Sequence, residues 1–219
     1  MRAALEGSIV FTTGFGAEDQ AITHMIASEG IDVEFATIDT GRLSQQIYDV
    51  WAATEARYGI SIRPFFPQAD ELEDLVSAQG VNGFYRSIKA RKACCAVRIA
   101  EPLSFALAEA EGWVTGARAD QAAHRRGHGV FSLDEDHKLV KLSPLFDWTR
   151  AQALAFATTH DVPLHPQHAQ GFATIGCAPC TRAISPGEPD RAGHWWWEDE
   201  ATNRRDQQAS PGASHSRAI

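Results

Sequence analysis

Hydrophobic and polar positions alternate along the chain in blocks that predict strands and helices in turn. GSIVFTTGFG (7–16) is a short apolar run closing on glycines, the pattern of a buried strand and turn. AEDQAITHMIASEG (17–30) then carries apolar residues at helical spacing. DVEFATIDTG (32–41) reads as strand and turn, LSQQIYDVWAATEARYG (43–59) as helix, ISIRPFFP (60–67) as a strand stopped by Pro67, and DELEDLVSAQG (70–80) as helix. A helix beginning near Glu101 leads to the strand WVTGAR (113–118). VFSLDEDHKLVKLSP (130–144) predicts a hairpin and DWTRAQALAFATTHD (147–161) a final helix. Strands alternating with helices predict an α/β fold, a mostly parallel sheet with flanking helices. Beyond Pro163 periodicity fades into an ordered loop region rich in Gly, Pro, Cys and His. Residues 1–198 are expected to form a single domain, and the small, polar stretch 199–219 a disordered tail.

Charge and composition narrow the function classes. A net charge of −8 argues against a duplex nucleic-acid binder, and no apolar run is long enough to span a membrane. Basic residues nonetheless cluster in RSIKARK (86–92) and HRRGH (124–128), which suits either a small anionic ligand or a solvated surface. The first residues show no signal peptide, so a cytoplasmic, reducing setting is expected.

Three loops fall where the strands end, the place where open parallel sheets bind ligands. TTGFGAED (12–19) puts hydroxyls, glycines and bare backbone N–H groups ahead of a helix, an anion cradle without the Gly-Lys-Ser/Thr ending of a Walker loop. DTGR (39–42) and TGAR (115–118) follow two further strands. Each alone is a common turn; three together, two ending in arginine, point to a phosphate or sulfate group.

The chain holds four cysteines, as an adjacent pair, Cys94 and Cys95, and a C-x-x-C, Cys177 and Cys180. Four thiols in a reducing compartment read as metal ligands rather than bridges. Adjacent residues on a helix point about 100° apart, which disfavours one small ion and suits two separate irons of a larger group. A [4Fe–4S] cluster is the favoured reading; zinc and inert buried thiols are the alternatives.

Taken together, CC…CxxC, FGAEDQ (15–20), DTGRL (39–43), WVTGAR, SPLFDWT (143–149) and IGCAPCTRAISPGEPDRAGHWWWE (175–198) resemble the assimilatory adenylyl-sulfate (APS) reductases. These are the iron–sulfur branch of the phosphoadenylyl-sulfate (PAPS) reductase family. The resemblance runs from Ile9 to Glu198. It implies a Rossmann-like, adenine-nucleotide alpha-hydrolase-like fold. It also implies reduction of adenylyl sulfate to sulfite and AMP in sulfate assimilation, with thioredoxin or glutaredoxin as reductant. By position it implies nucleotide contacts from Thr13, Gly14, Phe15 and Gly16. A nucleotide and sulfate pocket would be lined by Asp39, Thr40, Gly41, Arg42, Gly116, Arg118 and one of Arg125 or Arg126. Trp195, Trp196 and Trp197 are expected to pack rather than bind.

The sequence departs from that family at chemically important places. The family's tail carries Glu-Cys-Gly-Leu-His after the tryptophans; here the stretch is DEATNRRDQQA, and no fifth cysteine exists among the 219 residues. No catalytic residue is therefore assigned, since Ser210 and Ser214 are far weaker nucleophiles than a thiolate. The family usually reads CC-x-x-Arg-Lys, whereas Arg98 is followed here by Ile99. His194 replaces a common arginine, and Ala119 and Ala122 replace polar residues. Three readings follow: a reductase with an altered or frameshifted tail; a divergent non-reducing paralogue that binds an adenylylated ligand and a cluster; and an ATP-using sulfur transferase, disfavoured by the missing Ser-Gly-Gly-x-Asp-Ser loop. The sequence does not choose between adenylyl sulfate and its 3′-phosphorylated form.

Overall fold

A computed structural model describes residues 7–121 and 129–198. One six-stranded sheet organises them, in the order β3-β2-β1-β4-β6-β5. The strands are β1 (Ser8–Thr12), β2 (Glu34–Ile38), β3 (Ile62–Phe65), β4 (Ala110–Val114), β5 (Phe131–Asp134) and β6 (Leu139–Leu142). All neighbours run parallel except β5, which pairs antiparallel with β6 as the outer arm of the expected hairpin. Pro64 lies inside β3, opposite Thr37. It is tolerated there because β3 is an edge strand and one side needs no N–H donor.

Period-two alternation explains how the sheet is covered on both faces. Ile9 and Phe11 of β1 point into one cluster with Ile22, Ile26, Phe35, Ile47, Val50 and Ala153, beneath α1 (Ala17–Ser28), α2 (Gln45–Tyr58) and α6 (Arg150–Thr159). Val10 points the other way, into a cluster with Ala36, Trp113, Leu139, Ala106 and Leu107, the last two from α5 (Glu101–Leu107). Parallel strands buried on both sides read as continuous apolar runs, as SIVF does here. The chain order reverses direction between β1 and β4, so the sheet's switch point lies at their carboxyl ends, where ligands bind in such folds.

Two boundaries differ from expectation. β4 ends at Val114, leaving Thr115–Arg118 as loop. The helix expected near Glu101 is the last part of a longer one. α4 (Ile88–Cys95) passes through a π-helical turn, Ala96–Ala100, directly into α5. Pro102 accounts for the irregularity: it has no N–H to donate, and its ring crowds the carbonyl four residues earlier, at Arg98. α3 (Ala69–Gln79) forms as predicted. Among the described residues no helix is long and apolar enough to cross a membrane.

Candidate functional site

At the end of β1 the backbone is held tightly. Thr13 donates its N–H to the Ala36 carbonyl, and its hydroxyl accepts the Phe15 N–H at 3.1 Å. Phe15 sits at φ 61, an uncommon conformation for an aromatic residue. Its buried ring, stacked on Trp51 with centroids 5.7 Å apart, holds it there. Gly16 precedes α1 with no side-chain cap, leaving the first helical amides to other partners. Asp19 in the helix's first turn reaches back to the loop instead, accepting the Gly14 N–H at 2.8 Å and bonded also by Gly16. Crowding by protein pushes the Asp19 carboxyl up to about 6, against the lowering effect of these amides.

The β4 loop meets this one directly. A methyl group at Gly116 would fall 2.1 Å from an Asp19 carboxylate oxygen, so only glycine lets the two loops touch without displacing Asp19. Arg118 is fully buried, and its guanidinium is surrounded by carboxylates: Glu18, Asp120 at 2.9 Å and Asp190 at 3.3 Å. It ties α1, the β4 loop and the C-terminal loop region together. Thr13, Gly14, Phe15, Gly16, Gly116 and Arg118 are thus brought to one place. Arg125, Arg126 and Ala122 lie outside the described residues.

The β2 loop faces two ways. Asp39 is buried, accepts the Tyr48 hydroxyl and caps the Gly41 N–H at 2.9 Å, which sets the turn at Gly41 (φ 68). Thr40 reaches the cysteines: its hydroxyl lies 3.2 Å from Cys177 Sγ, and its carbonyl accepts Arg98 Nη1 at 2.6 Å. The Arg42 carbonyl accepts the Ala178 N–H at 2.9 Å, and its guanidinium covers the Phe84 ring. Arg42, Phe84, Cys94 and Arg98 line a cavity of about 10 Å³.

All four cysteines are free thiols. Cys94 and Cys95 end α4, while Cys177 precedes and Cys180 closes a single 3-10 turn, Ala178–Cys180. They lie close enough to act on one another. Burial pushes Cys180 up to about 12, and Cys177, Cys95 and Cys94 push the same way. Burial pushes Cys95 up to about 11, with Arg91 opposing and Cys94 and Cys177 reinforcing. Cys177 is also raised by burial, against the Thr40 hydroxyl, Arg98 and Arg42. Among the described residues no three His, Cys, Asp or Glu side chains gather as they would around one metal ion. Cys95, Cys177 and Cys180 each feel another cysteine of the set, and Arg42, Arg91 and Arg98 lie near enough to act on them.

The departures also have places. Ile99 in the π turn is 37% exposed, so its side chain supplies no charge to the cysteine side, whereas neighbouring Arg98 turns inward. His194 pairs with Thr181 in an isolated bridge, packs against Gly176, and burial pushes it down to about 4. Ala119 contributes only backbone, bonded to Phe146. Trp197 packs edge-on against Tyr85, whose hydroxyl holds the Pro179 carbonyl, while Trp195 lies under the Arg91 guanidinium.

Reading residues alone missed Asp19, Tyr48, Arg91 and Glu198. Arg91 was hidden inside RSIKARK: Arg86, Lys89 and Lys92 are exposed, but Arg91, two helical turns or less from each, is buried. The HRRGH cluster lies outside the described residues.

Residues 8–183 match the phosphoadenosine phosphosulfate reductase domain. The chain is 45% identical over 198 residues to the adenosine 5′-phosphosulfate reductase of Sinorhizobium fredii (strain NBRC 101917 / NGR234), spanning 90% of this chain and 79% of that protein. It is 46% identical over 195 residues to the enzyme of the same name from Allochromatium vinosum, spanning 89% and 76%. Among solved structures, the phosphoadenylyl-sulfate reductase of Candida auris in its phosphate complex has the same fold. The TM-score is 0.70 at 24% identity, over 83% of this chain and 86% of that one.

Proposed function

The chain belongs to the phosphoadenosine phosphosulfate reductase domain family. From that premise we propose that it binds adenylyl sulfate at the carboxyl ends of β1, β2 and β4, beside a [4Fe–4S] cluster on Cys94, Cys95, Cys177 and Cys180. The observation that carries this reading is the double-faced β2 loop. Asp39–Arg42 sits in line with the nucleotide-type loops and is bonded through Thr40 and Arg42 to the C-x-x-C segment. Thr13–Gly16 and Gly116 would take the nucleotide; Arg42, and one of Arg125 or Arg126, the sulfate. Arg118 contributes charge to that pocket only as Glu18, Asp120 and Asp190 release it. A bound cluster would supply fixed charge that orders the cysteine segments and polarises the neighbouring anion pocket.

The chemistry of this reading is thiol-dependent. A thiolate bonds to the sulfur of adenylyl sulfate, the bond from sulfur to the bridging oxygen breaks, and AMP leaves with the electron pair. A dithiol protein, thioredoxin or glutaredoxin, then reduces the thiosulfonate, releasing sulfite and becoming a disulfide. The protein works in a reducing compartment, the cytoplasm. The 219 residues hold four cysteines, and this reading assigns all four to the cluster, which favours a second reading: a divergent paralogue that binds the ligand and the cluster without forming the thiosulfonate.

Anaerobic purification followed by incubation with adenylyl sulfate decides between them. A brown protein with about four irons supports the cluster, and a colourless zinc protein sinks it. Mass spectrometry for a covalent sulfonate adduct, with AMP release, marks the reductase. Tight binding without adduct marks the paralogue. Absence of binding overturns both.

A further inference from the structure

We propose that Arg91, with Glu198 and Trp195, is a positioning clasp: it holds the C-x-x-C segment against the Cys94–Cys95 helix and fixes where the chain leaves the site. The inference deepens the reading that the four cysteines share one group.

Arg91 and Glu198 are 107 positions apart, yet Nε and Nη2 of the arginine meet the two carboxylate oxygens at 2.9 Å each. Both side chains are almost sealed from solvent, at 6% and 2% exposure. The paired fork geometry is one that lysine does not reproduce. The same guanidinium lies 3.9 Å above the Trp195 ring and bonds to Cys95, four residues along its own helix. Arg91 therefore grips one cysteine segment directly.

The other segment is gripped through backbone. Trp195 donates its N–H to the Cys180 carbonyl at 3.1 Å, and Glu198 closes a turn onto the Trp195 carbonyl at 2.9 Å. Trp195 stands at φ 52, a conformation a bulky residue keeps only when its surroundings enforce it. The clasp is that enforcement: ring beneath the guanidinium, carboxylate three residues on in its fork. The neighbouring Tyr85–Pro179 contact with the same segment is a single hydrogen bond from an exposed tyrosine.

The experiment uses the full chain, purified anaerobically, with Arg91→Lys, Arg91→Met and Glu198→Gln beside the parent. Amide hydrogen exchange and the rate of iron loss to an excess of chelator are both measured. The clasp predicts that amides of 176–198 exchange at least about tenfold faster in Arg91→Met while those of β1, β2 and β4 are unchanged, with Arg91→Lys and Glu198→Gln intermediate. Iron loss should accelerate in the same order. Unchanged exchange over 176–198, or acceleration spread evenly over the sheet, overturns the proposal. An iron-free parent removes the cluster reading alone, because exchange over 176–198 still judges the clasp.

Discussion

Asp19 is a half-buried carboxylate wedged between two glycine loops, and its chemistry sets a pH dependence. Its pKa in the folded protein is about 6, raised by loss of water, against an ordinary 3.8. The folded state therefore holds this proton more tightly than the unfolded chain. The resulting stability is fully present below about pH 4 and is lost as pH rises through about 6. Asp19→Asn keeps an oxygen for the Gly14 N–H and removes the charge. At pH 7 it should raise stability by about 1–2 kcal/mol, less than a full two-unit shift because solvent still reaches the site. The gain should shrink towards zero at pH 4; chemical denaturation at both pH values checks it. Neither this residue nor Arg91 was legible in the sequence. An acidic residue in a helix's first turn and an arginine among lysines look ordinary until packing removes their water. That the two cysteine pairs meet was legible, because an adjacent pair and a C-x-x-C are a spacing expected of one shared site, and Cys177 does lie near Cys94 and Cys95.

At the scale of elements, the strands and most helices followed from periodicity, and the failures have physical causes. Only the part of the α4–α5 helix from Glu101 was expected, because Pro102 and the polar RSIKARK stretch mask its continuity, and a π turn leaves no periodic signature. That turn sends Arg98 inward and Ile99 outward. Ile99→Lys should therefore cost little stability, within about 0.5 kcal/mol as at other surface positions. Chemical denaturation of the variant beside the parent checks it. The irregular C-terminal region is held by close approach rather than repeating bonds. A methyl group on Gly193 would lie 2.4 Å from the Arg182 carbonyl oxygen. Gly193→Ala should destabilise by about 1–3 kcal/mol. Thr149→Ala serves as a contrast: it breaks the capping box of α6, formed with Gln152. It should cost about 0.5–2 kcal/mol without altering iron content.

At the scale of the molecule, the loops after β1, β2 and β4 and the cysteine segments gather at the carboxyl end of the sheet. Periodicity predicted a parallel sheet but not the order β3-β2-β1-β4-β6-β5, which depends on packing between distant strands. That order places the direction change at β1 and β4, where the Asp19–Gly116 contact occurs. The adjoining β2 loop then reaches the cysteines through Thr40 and Arg42. A ligand that orders these loops must stabilise the fold, and by linkage it must also hold the cysteine segments more firmly. Adenylyl sulfate at about 100 times its Kd should add about 2.7 kcal/mol, or about 5–10 °C in Tm for a chain of this size. It should slow iron loss to chelator in the same titration. AMP should give a smaller shift, because it lacks the sulfate that the proposed function assigns to Arg42, and inorganic sulfate smaller still. Equal shifts from AMP and adenylyl sulfate would place recognition in the β1 and β4 loops alone. They would also remove the β2 loop, with its hold on Cys177, from ligand binding.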